Sequence, residues 1–476
     1  LGLIASVPVQ DAIPIPEGIP ITATRAATVV AGALIPLILI RRGKYLQRSL
    51  FMVAPLALMG VMVLSLWNAT SLGLGYAELY RWLVAVFSFW LVLQIVDSRR
   101  MVLAILISMG ALAIFQGGMG VVQAILGMGP SSFQVGGGFS RAFGTFGMPN
   151  SYAAYLEMVS LPLIPITIWS LGELWTQFAS YRVSRVRGYL RSSDERREFL
   201  IGAAQTTILA GGAAAGLLGI AMSFSRGGWL GSIAGLVVMI VLLGRRAVIT
   251  SIASAVGLGL ISLLGASGAV LAVLEDRFIQ LVDQARIRDI SGATVTDDNF
   301  AVVERLAHWQ TAMAMWLENP WLGVGIGNFN ERFTEYSVHP QFFESQGHAH
   351  NYYLHALAET GLAGLIFYLL FLGAAFFIGW RAYRSTDPLT RAIGIGAIGM
   401  TAALTVHNFF ENLHVLNIGI QMMAIWALAI VATRLLIRVP GTEIGKTQRT
   451  DMQYDSSDVT DAMRTTTAGT FARERN

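Results

Sequence analysis

The sequence of 476 residues has no cysteine and few charged residues. The absence of cysteine excludes disulfide bonds, thiolate catalysis and cysteine-ligated metal sites. Charged residues make up 13% of the chain, whereas soluble globular proteins contain about 25%. The chain is instead 54% hydrophobic, with a mean hydropathy of +0.58, which predicts a polytopic membrane protein. The formal net charge of +4 is spread over many short loops, so we expect no nucleic-acid partner.

Apolar runs of about 20 residues can cross a bilayer as single helices. Residues 1–7 are apolar but too few to span, and we interpret them as the end of a first helix whose start is missing. With this partial helix, eleven full runs predict an all-α membrane protein of about twelve transmembrane helices. The runs lie near residues 24–40, 49–67, 78–97, 101–126, 150–170, 200–222, 229–244, 247–273, 351–380, 389–408 and 415–437.

Basic residues occur in every second connection between these runs. Short cytoplasmic loops collect Lys and Arg, so the alternation assigns a side to each loop and makes both chain ends cytoplasmic. The basic groups that support this assignment are Arg41, Arg42, Lys44 and Arg48; Arg99 and Arg100; Arg182, Arg185, Arg187, Arg191, Arg196 and Arg197; Arg245 and Arg246; Arg381 and Arg384; and Arg434, Arg438 and Lys446.

One connection is much longer than the others and falls on the extracytoplasmic side. Within it, residues 299–317 have the pattern of an amphipathic helix, and Asn319-Pro320 should end that helix. The predicted organisation is transmembrane helices 1–9 in 1–273, an extracytoplasmic loop domain in 274–350, transmembrane helices 10–12 in 351–438 and a polar, disordered cytoplasmic tail in 439–476.

Residues 225–231, Ser-Arg-Gly-Gly-Trp-Leu-Gly, lie at the predicted outer start of a helix that runs inward. Free N–H groups and the positive end of the helix dipole make such a start an anion site. The planar guanidinium of Arg226 suits phosphate oxygens, with Ser225 beside it. The alternative is an arginine that reaches lipid headgroups.

Three of the seven histidines, His348, His350 and His355, fall within eight residues at the start of another inward-running helix. The dipole there disfavours an imidazolium, so His350, next to Asn351, could accept a proton. A structural hydrogen bond is one alternative. A metal site is another, but a third ligand at a metal-typical spacing is not evident, so we expect no metal.

Further candidate residues lie on the same predicted side of the membrane. Arg305 shares a face of the amphipathic helix with Trp309, although a surface ion pair with a neighbouring Glu would also explain it. Arg141 precedes Pro149 and Asn150, which begin a third inward-running helix. Three helix N-termini are therefore predicted to converge on one outward-facing pocket.

Together these stretches resemble the O-antigen ligase and O-antigen polymerase superfamily of bacterial membrane glycosyltransferases. The resemblance covers about residues 141–366, with matching topology outside that span. It is carried by Gly144 to Asn150, by Ser225 to Gly231, by Arg305 with Trp309, by Glu318 to Phe329, and by His350-Asn351 leading to Glu359 through Gly364.

The resemblance implies metal-independent, inverting transfer of a glycan from undecaprenyl pyrophosphate to a lipid, glycan or protein acceptor, without a cofactor. It implies a site on the outer face of the bacterial inner membrane, open sideways to membrane lipids. The family's two essential arginines match Arg226 and Arg305, and its essential histidine matches His350, with His348 as a competitor. The residues expected to bind substrate are Arg141, Asn150, Ser225, Asn351, His348 and Trp309.

Two other functions remain open from the residues. A transporter of lipid-linked glycans would suit twelve helices and an outer cavity. Such a protein usually carries charged or broken-helix sites near the midplane, whereas here the helices look uninterrupted by charge. A non-catalytic scaffold is the other alternative, because a shared fold need not keep its activity.

Overall fold

A computed structural model describes most of the chain as helices. The residues described are 1–10, 12–13, 21–42, 46–136, 138–186, 193–251, 253, 290, 294–296, 299–345 and 347–437. Two units are distinguished, Leu1–Thr433 and Arg434–Asn476, and the second is described only as far as residue 437. The helices are α1 Gly2–Ser6, α2 Ala23–Ala33, α3 Ile35–Arg42, α4 Val53–Ser65, α5 Leu72–Ile95, α6 Arg99–Ile125, α7 Pro149–Val186, α8 Ser193–Met222, α9 Arg226–Leu243, α10 Phe300–Glu318, α11 Phe329–Tyr336, α12 Tyr352–Tyr383, α13 Pro388–His407 and α14 Gly419–Ile437.

Within the described residues, ten stretches are long and apolar enough to cross a membrane, which indicates a multi-pass membrane protein. Each coincides with a predicted run. The one remaining predicted run, residues 247–273, lies mostly outside the described residues. The start of the predicted loop domain and the predicted tail also lie outside them. Helix ends were predicted less well. For example, α7 was predicted to end near residue 170 but continues to Val186, because hydropathy detects only the part of a helix that lipid would cover.

Two short antiparallel ribbons interrupt the helical pattern. Strand β1, Ala12–Ile13, pairs with β2, Ile21–Thr22, and β3, Gln134–Gly136, pairs with β4, Phe139–Ser140. The sequence predicted only loops at these positions, since strands of two or three residues carry no detectable alternation. The second ribbon leads into the segment that contains Arg141.

Helix α13 packs against α7, α9 and α12. Of the ten spans, α13 and α7 are the most buried, at 83% and 78% of their apolar windows. These helices are not free of charge, contrary to the sequence-based expectation. Glu157 of α7 and His407 of α13 form a fully buried pair, with Nδ1 and Oε2 2.6 Å apart. Hydropathy did not reveal either residue, because one titratable side chain hardly lowers the mean hydropathy of an 18-residue window.

Residues 299–351, here called the connector domain, lie between α9 and α12 in the chain and belong to the same compact unit as the long helices. Its first helix, α10, confirms the predicted amphipathic helix and ends at Glu318, immediately before Asn319-Pro320. Its apolar face packs into a cluster that includes Leu306, Trp309 and Phe342. The apolar face of α10 is therefore buried in this cluster.

The connector domain is joined to α12 through a break in that helix. Gly361 has φ 66° and ψ −167°, which interrupts the helical hydrogen bonds. The freed backbone groups pair with the connector segment 320–325. The N–H groups of Val324 and Gly325 donate to Ala358 and Glu359 carbonyls at 2.8 and 2.9 Å, and Leu362 N–H donates to the Pro320 carbonyl at 2.8 Å. The break thus fixes the connector domain against α12, in line with the general need to satisfy backbone groups inside a membrane protein.

We expect Gly361→Ala to destabilise this junction. A Cβ at residue 361 would lie 2.2 Å from the Trp321 carbonyl carbon, and its φ is one that side chains rarely adopt. Backbone strain alone costs about 1–3 kcal/mol at such a position. Gly373→Ala is a matched control in the same helix, because a Cβ there meets nothing within 4 Å. Thermal unfolding of the purified variants measures the difference, and equal melting temperatures would contradict this description of the junction.

Candidate functional site

Two helix N-termini in the candidate site are built alike. At α9, Phe224 has φ 49° and precedes Ser225, whose side chain caps Gly228 N–H. At α12, His350 has φ 50° and precedes Asn351, whose side chain caps Leu354 N–H. A positive φ is uncommon for residues other than glycine, and such strain often marks functional sites. Both strained residues stand immediately before the cap, so the chain turns sharply into each helix.

Glu411, in the connection between α13 and α14, is the centre of a polar cluster. Its side chain is only 6% exposed. Oε2 accepts a hydrogen bond of 2.6 Å from Asn150 Nδ2, while Oε1 lies 3.1 Å from His348 Nε2 and 3.4 Å from His350 Nδ1. Asn150 belongs to the first turn of α7. The carboxylate therefore joins the start of α7 to the start of α12. We call Glu411, Asn150, His348, His350 and Arg305 the Glu411 cluster.

The start of α9 belongs to the same region. Arg141 donates from Nη2 to Asn150 Oδ1 at 3.0 Å and from Nε to the Ser223 carbonyl at 2.9 Å, which links the starts of α7 and α9. A Cβ on Gly227 would lie 3.1 Å from Phe410 Cβ, so the first turn of α9 packs against the chain just before Glu411. The three predicted N-termini do converge, and Arg226 is the first residue of the helix at this junction.

Helix α10 supplies Arg305 to the cluster from the connector domain. Burial lowers the pKa of Arg305, while the nearby Glu411 and Glu304 carboxylates oppose that shift. An arginine remains protonated at neutral pH even so. One turn later, His308 packs its ring 5.4 Å from the ring of His350, and burial lowers its pKa to about 4. Arg305 therefore brings a cation to the cluster, and the His308 imidazole beside His350 is neutral near pH 7.

The ionisation of Glu411 is set by these neighbours. Burial works against the charged form, but His348, His350 and Arg305 outweigh it and hold the pKa of the carboxyl well below its ordinary value. Burial lowers the pKa of His348 to about 3, so this imidazole is neutral. At neutral pH we therefore treat the centre as an ionised carboxylate that is held by hydrogen bonds and by the nearby charge of Arg305.

The predicted site residues are brought together only in part. Ser225 and Asn351 act as helix caps and are almost fully buried. Trp309 was expected to bind substrate, but it packs in the core of the connector domain and is only 6% exposed, which leaves little ring surface for a sugar. His355 Nε2 lies 3.5 Å from Glu359 Oε2. The residues joined by direct contacts to one another or to Glu411 are Arg141, Asn150, His348 and His350, beside the helix that begins at Arg226. Arg305 lies near enough to Glu411 to interact with it electrostatically.

Sequence reasoning missed Glu411, and with it a possible metal-ligand set. Ligand atoms of His348, His350 and Glu411 all lie within 4.8 Å of one another, so the third ligand that seemed absent is present. It escaped notice because it lies about 60 residues further along the chain. The available signal was the polar run His407 to His414, which separates two apolar helices as the histidine-rich segment does.

Glu411→Gln should lower stability at neutral pH, by roughly 2 kcal/mol, because charge-assisted hydrogen bonds to a buried carboxylate are lost. The native pKa of Glu411 is depressed, so its contribution is complete above the ordinary value of 4.5 and disappears as the pH falls through the native pKa. The melting-temperature gap between wild type and variant should therefore be wide at pH 7 and narrow in acid. Glu344→Gln, at an exposed position, serves as control. A melting-temperature gap between wild type and Glu411→Gln that widens in acid would refute the assignment of an ionised Glu411.

Comparison with known proteins identifies one matching region. Residues 211–369 match a family model described as O-antigen ligase, a span of 159 residues, or about a third of the chain. The match includes Arg226, Arg305 and His350, whereas Arg141, Asn150 and Glu411 lie outside it. None of the curated proteins matches the chain. The matched third of the chain is therefore similar to the O-antigen ligase family.

Proposed function

We propose that the protein transfers a glycan from undecaprenyl pyrophosphate to an acceptor hydroxyl, with inversion at the anomeric carbon. The observation that carries the proposal is the convergence of three helix N-termini, with Arg305 and His350, around Glu411. The match of residues 211–369 to the O-antigen ligase family model supports the same chemistry. Lipid, glycan or protein remain possible acceptors, because the cluster contains no group that distinguishes them.

Arg226 and Arg305 are proposed to stabilise the leaving group. Cleavage of the sugar–pyrophosphate bond transfers an electron pair to the pyrophosphate oxygen, where negative charge develops. Arg226 begins α9, so its guanidinium and the helix N-terminus both favour an anion. Arg305 adds a second cation from the connector domain. Positioned cations of this kind replace the solvent that would otherwise stabilise the departing pyrophosphate.

His350 is proposed as the base that takes the acceptor hydroxyl proton. The hydroxyl oxygen forms the new bond to the anomeric carbon, its proton passes to the imidazole, and the pyrophosphate departs with the electron pair. Nδ1 of His350 faces Glu411 at 3.4 Å, which is long for a hydrogen bond but can tighten once substrate binds. With Nδ1 turned to the carboxylate, Nε2 is the nitrogen left to accept the proton, as in other carboxylate–histidine pairs.

His348 is a weaker candidate for the base. Its Nδ1 accepts a hydrogen bond from the backbone N–H of His350 at 3.2 Å, so in the neutral ring the proton lies on Nε2. That Nε2–H donates to Glu411 at 3.1 Å. Both nitrogens of His348 are therefore engaged, and we assign it the role of holding Glu411 in place.

The same hydrogen bonds favour a chemistry without a metal. A neutral imidazole that accepts at Nδ1 has no lone pair on Nε2 for a cation. Arg305 also places a positive charge near Glu411, which repels a cation. We therefore interpret the His348–His350–Glu411 group as a hydrogen-bonded cluster that orients the base.

The location proposed for this site is the extracytoplasmic face of the bacterial inner membrane. The alternation of basic loops puts the starts of α7, α9 and α12 on that side. Undecaprenyl pyrophosphate would then enter from the surrounding lipid. A transporter is the competing function, since α12 is broken at Gly361. The backbone groups freed by that break are bound by the connector segment 320–325, so the break does not form a substrate site.

His350→Ala and Arg226→Ala should each reduce glycan transfer by about 10²-fold or more, the effect typical of losing a base or a charge-stabilising donor. The measurement is transfer of labelled glycan from the lipid-linked donor fraction of the source cells to their acceptor fraction. Arg332→Ala is the matched control, because Arg332 lies in the connector domain and pairs with Glu335. Full activity in either site variant, with the control unaffected, would refute the proposed roles.

Treatment of the purified protein with EDTA should leave the transfer rate unchanged, because the proposed base and leaving-group stabilisers are side chains. Zinc added after EDTA should not raise the rate above that of the untreated protein. A loss of activity on chelation that Zn²⁺ or Mg²⁺ restores would instead assign a metal to His348, His350 and Glu411.

A further inference from the structure

A second polar junction lies deeper in the helical unit than the Glu411 cluster. Glu157 of α7 receives hydrogen bonds on both carboxyl oxygens. His407 Nδ1 of α13 lies 2.6 Å from Oε2, and Ser232 Oγ of α9 donates to Oε1 at 3.0 Å. The Glu157 and His407 side chains are completely buried. This junction therefore ties three transmembrane helices together at one level.

The three helices joined here also lead to the proposed site. Asn150 lies seven residues before Glu157 on α7, which is two helical turns or about 10 Å along the axis. On α9, Arg226 precedes Ser232 by six residues, and Glu411 follows His407 by four. The Glu157–His407 junction thus lies further inside the helical unit than the proposed site, on the same three segments of chain.

Helix α9 rests directly on the Glu157–His407 pair. A Cβ on Gly227 would lie 2.5 Å from His407 Cδ2, and a Cβ on Gly231 would lie 2.7 Å from Glu157 Oε1. Only glycine permits this approach at those two positions. Any change in the pair therefore acts on the first turn of α9, where Arg226 stands.

Apolar packing alone would hold these helices together, but it would fix their relative positions along the helix axes less firmly. Just below the pair, Leu161, Met239, Ile395 and Ala403 form an apolar cluster between the same helices. Apolar surfaces tolerate small shifts, whereas a buried hydrogen-bonded pair is lost when its atoms separate. Buried polar groups are known to specify register in packed helices for this reason.

We propose that Glu157 and His407 are positioning residues for the transfer reaction. They hold α7, α9 and α13 at the relative heights that bring Asn150, Arg226 and Glu411 to one site. This inference rests on the proposed transferase function and adds residues that touch neither donor nor acceptor.

The test compares four variants by kcat and KM for transfer, by binding of undecaprenyl pyrophosphate and by melting temperature. Glu157→Ala should lower kcat by about 10–100-fold, the range expected from a displacement of about 1 Å, with a smaller change in KM. Glu157→Gln should recover most of the lost kcat, because its amide oxygen still accepts from His407 and its size is conserved. The double variant Glu157→Leu with His407→Leu should fold but show the same loss of kcat.

Leu161→Ala is the control for a purely structural effect. It removes a buried side chain one turn along α7 from Glu157, so it should lower the melting temperature without the loss of kcat. The inference is overturned if Leu161→Ala loses as much kcat as Glu157→Ala, or if Glu157→Gln is no better than Glu157→Ala. A wild-type protein that neither transfers glycan nor binds undecaprenyl pyrophosphate refutes the proposed function itself, and this inference with it.

Discussion

The candidate site depends on one buried carboxylate. An anion as enclosed as Glu411 is stable only with donors and cations around it. Those partners come from the start of α7, the segment before α12 and helix α10 of the connector domain. The need to stabilise the charge of Glu411 therefore brings together three parts of the chain that are distant in sequence. The same carboxylate faces the proposed base, so the requirement of the fold and the requirement of the chemistry coincide at Glu411.

The connector domain can contribute Arg305 only because it is fixed to the membrane unit. The break at Gly361 exposes backbone groups of α12, and the glycine-rich segment 320–325 binds them. Gly323 and Gly325 adopt positive φ there, close against Ala358 and Ala69. The two segments that contribute to the family resemblance, Glu318 to Phe329 and Glu359 to Gly364, are thus the two halves of one structural joint. Neither half would bind the other without its glycines.

Hydropathy and charge allowed much of this architecture to be predicted from the sequence. The ten described spans and the three converging helix starts were predicted, because lipid imposes long apolar runs and loop charge assigns their sides. The partners inside the site could not be predicted. Asn150 and Glu411 are 261 residues apart, and Glu157 and His407 are 250 residues apart, so no local pattern connects them. The burial of Trp309 could not be predicted either, because an amphipathic face does not reveal which residues cover it.

We propose that Arg226 and Arg305 bind the pyrophosphate of a lipid-linked glycan, with His350 placed to deprotonate the acceptor. The most direct measurement is an experimental structure of the protein in a lipid nanodisc with bound undecaprenyl pyrophosphate. We expect pyrophosphate density between the two guanidiniums, with His350 Nε2 facing the side of the anomeric carbon opposite the pyrophosphate, where the acceptor hydroxyl would attack. Density for the pyrophosphate elsewhere in the protein, out of reach of both arginines, would contradict it.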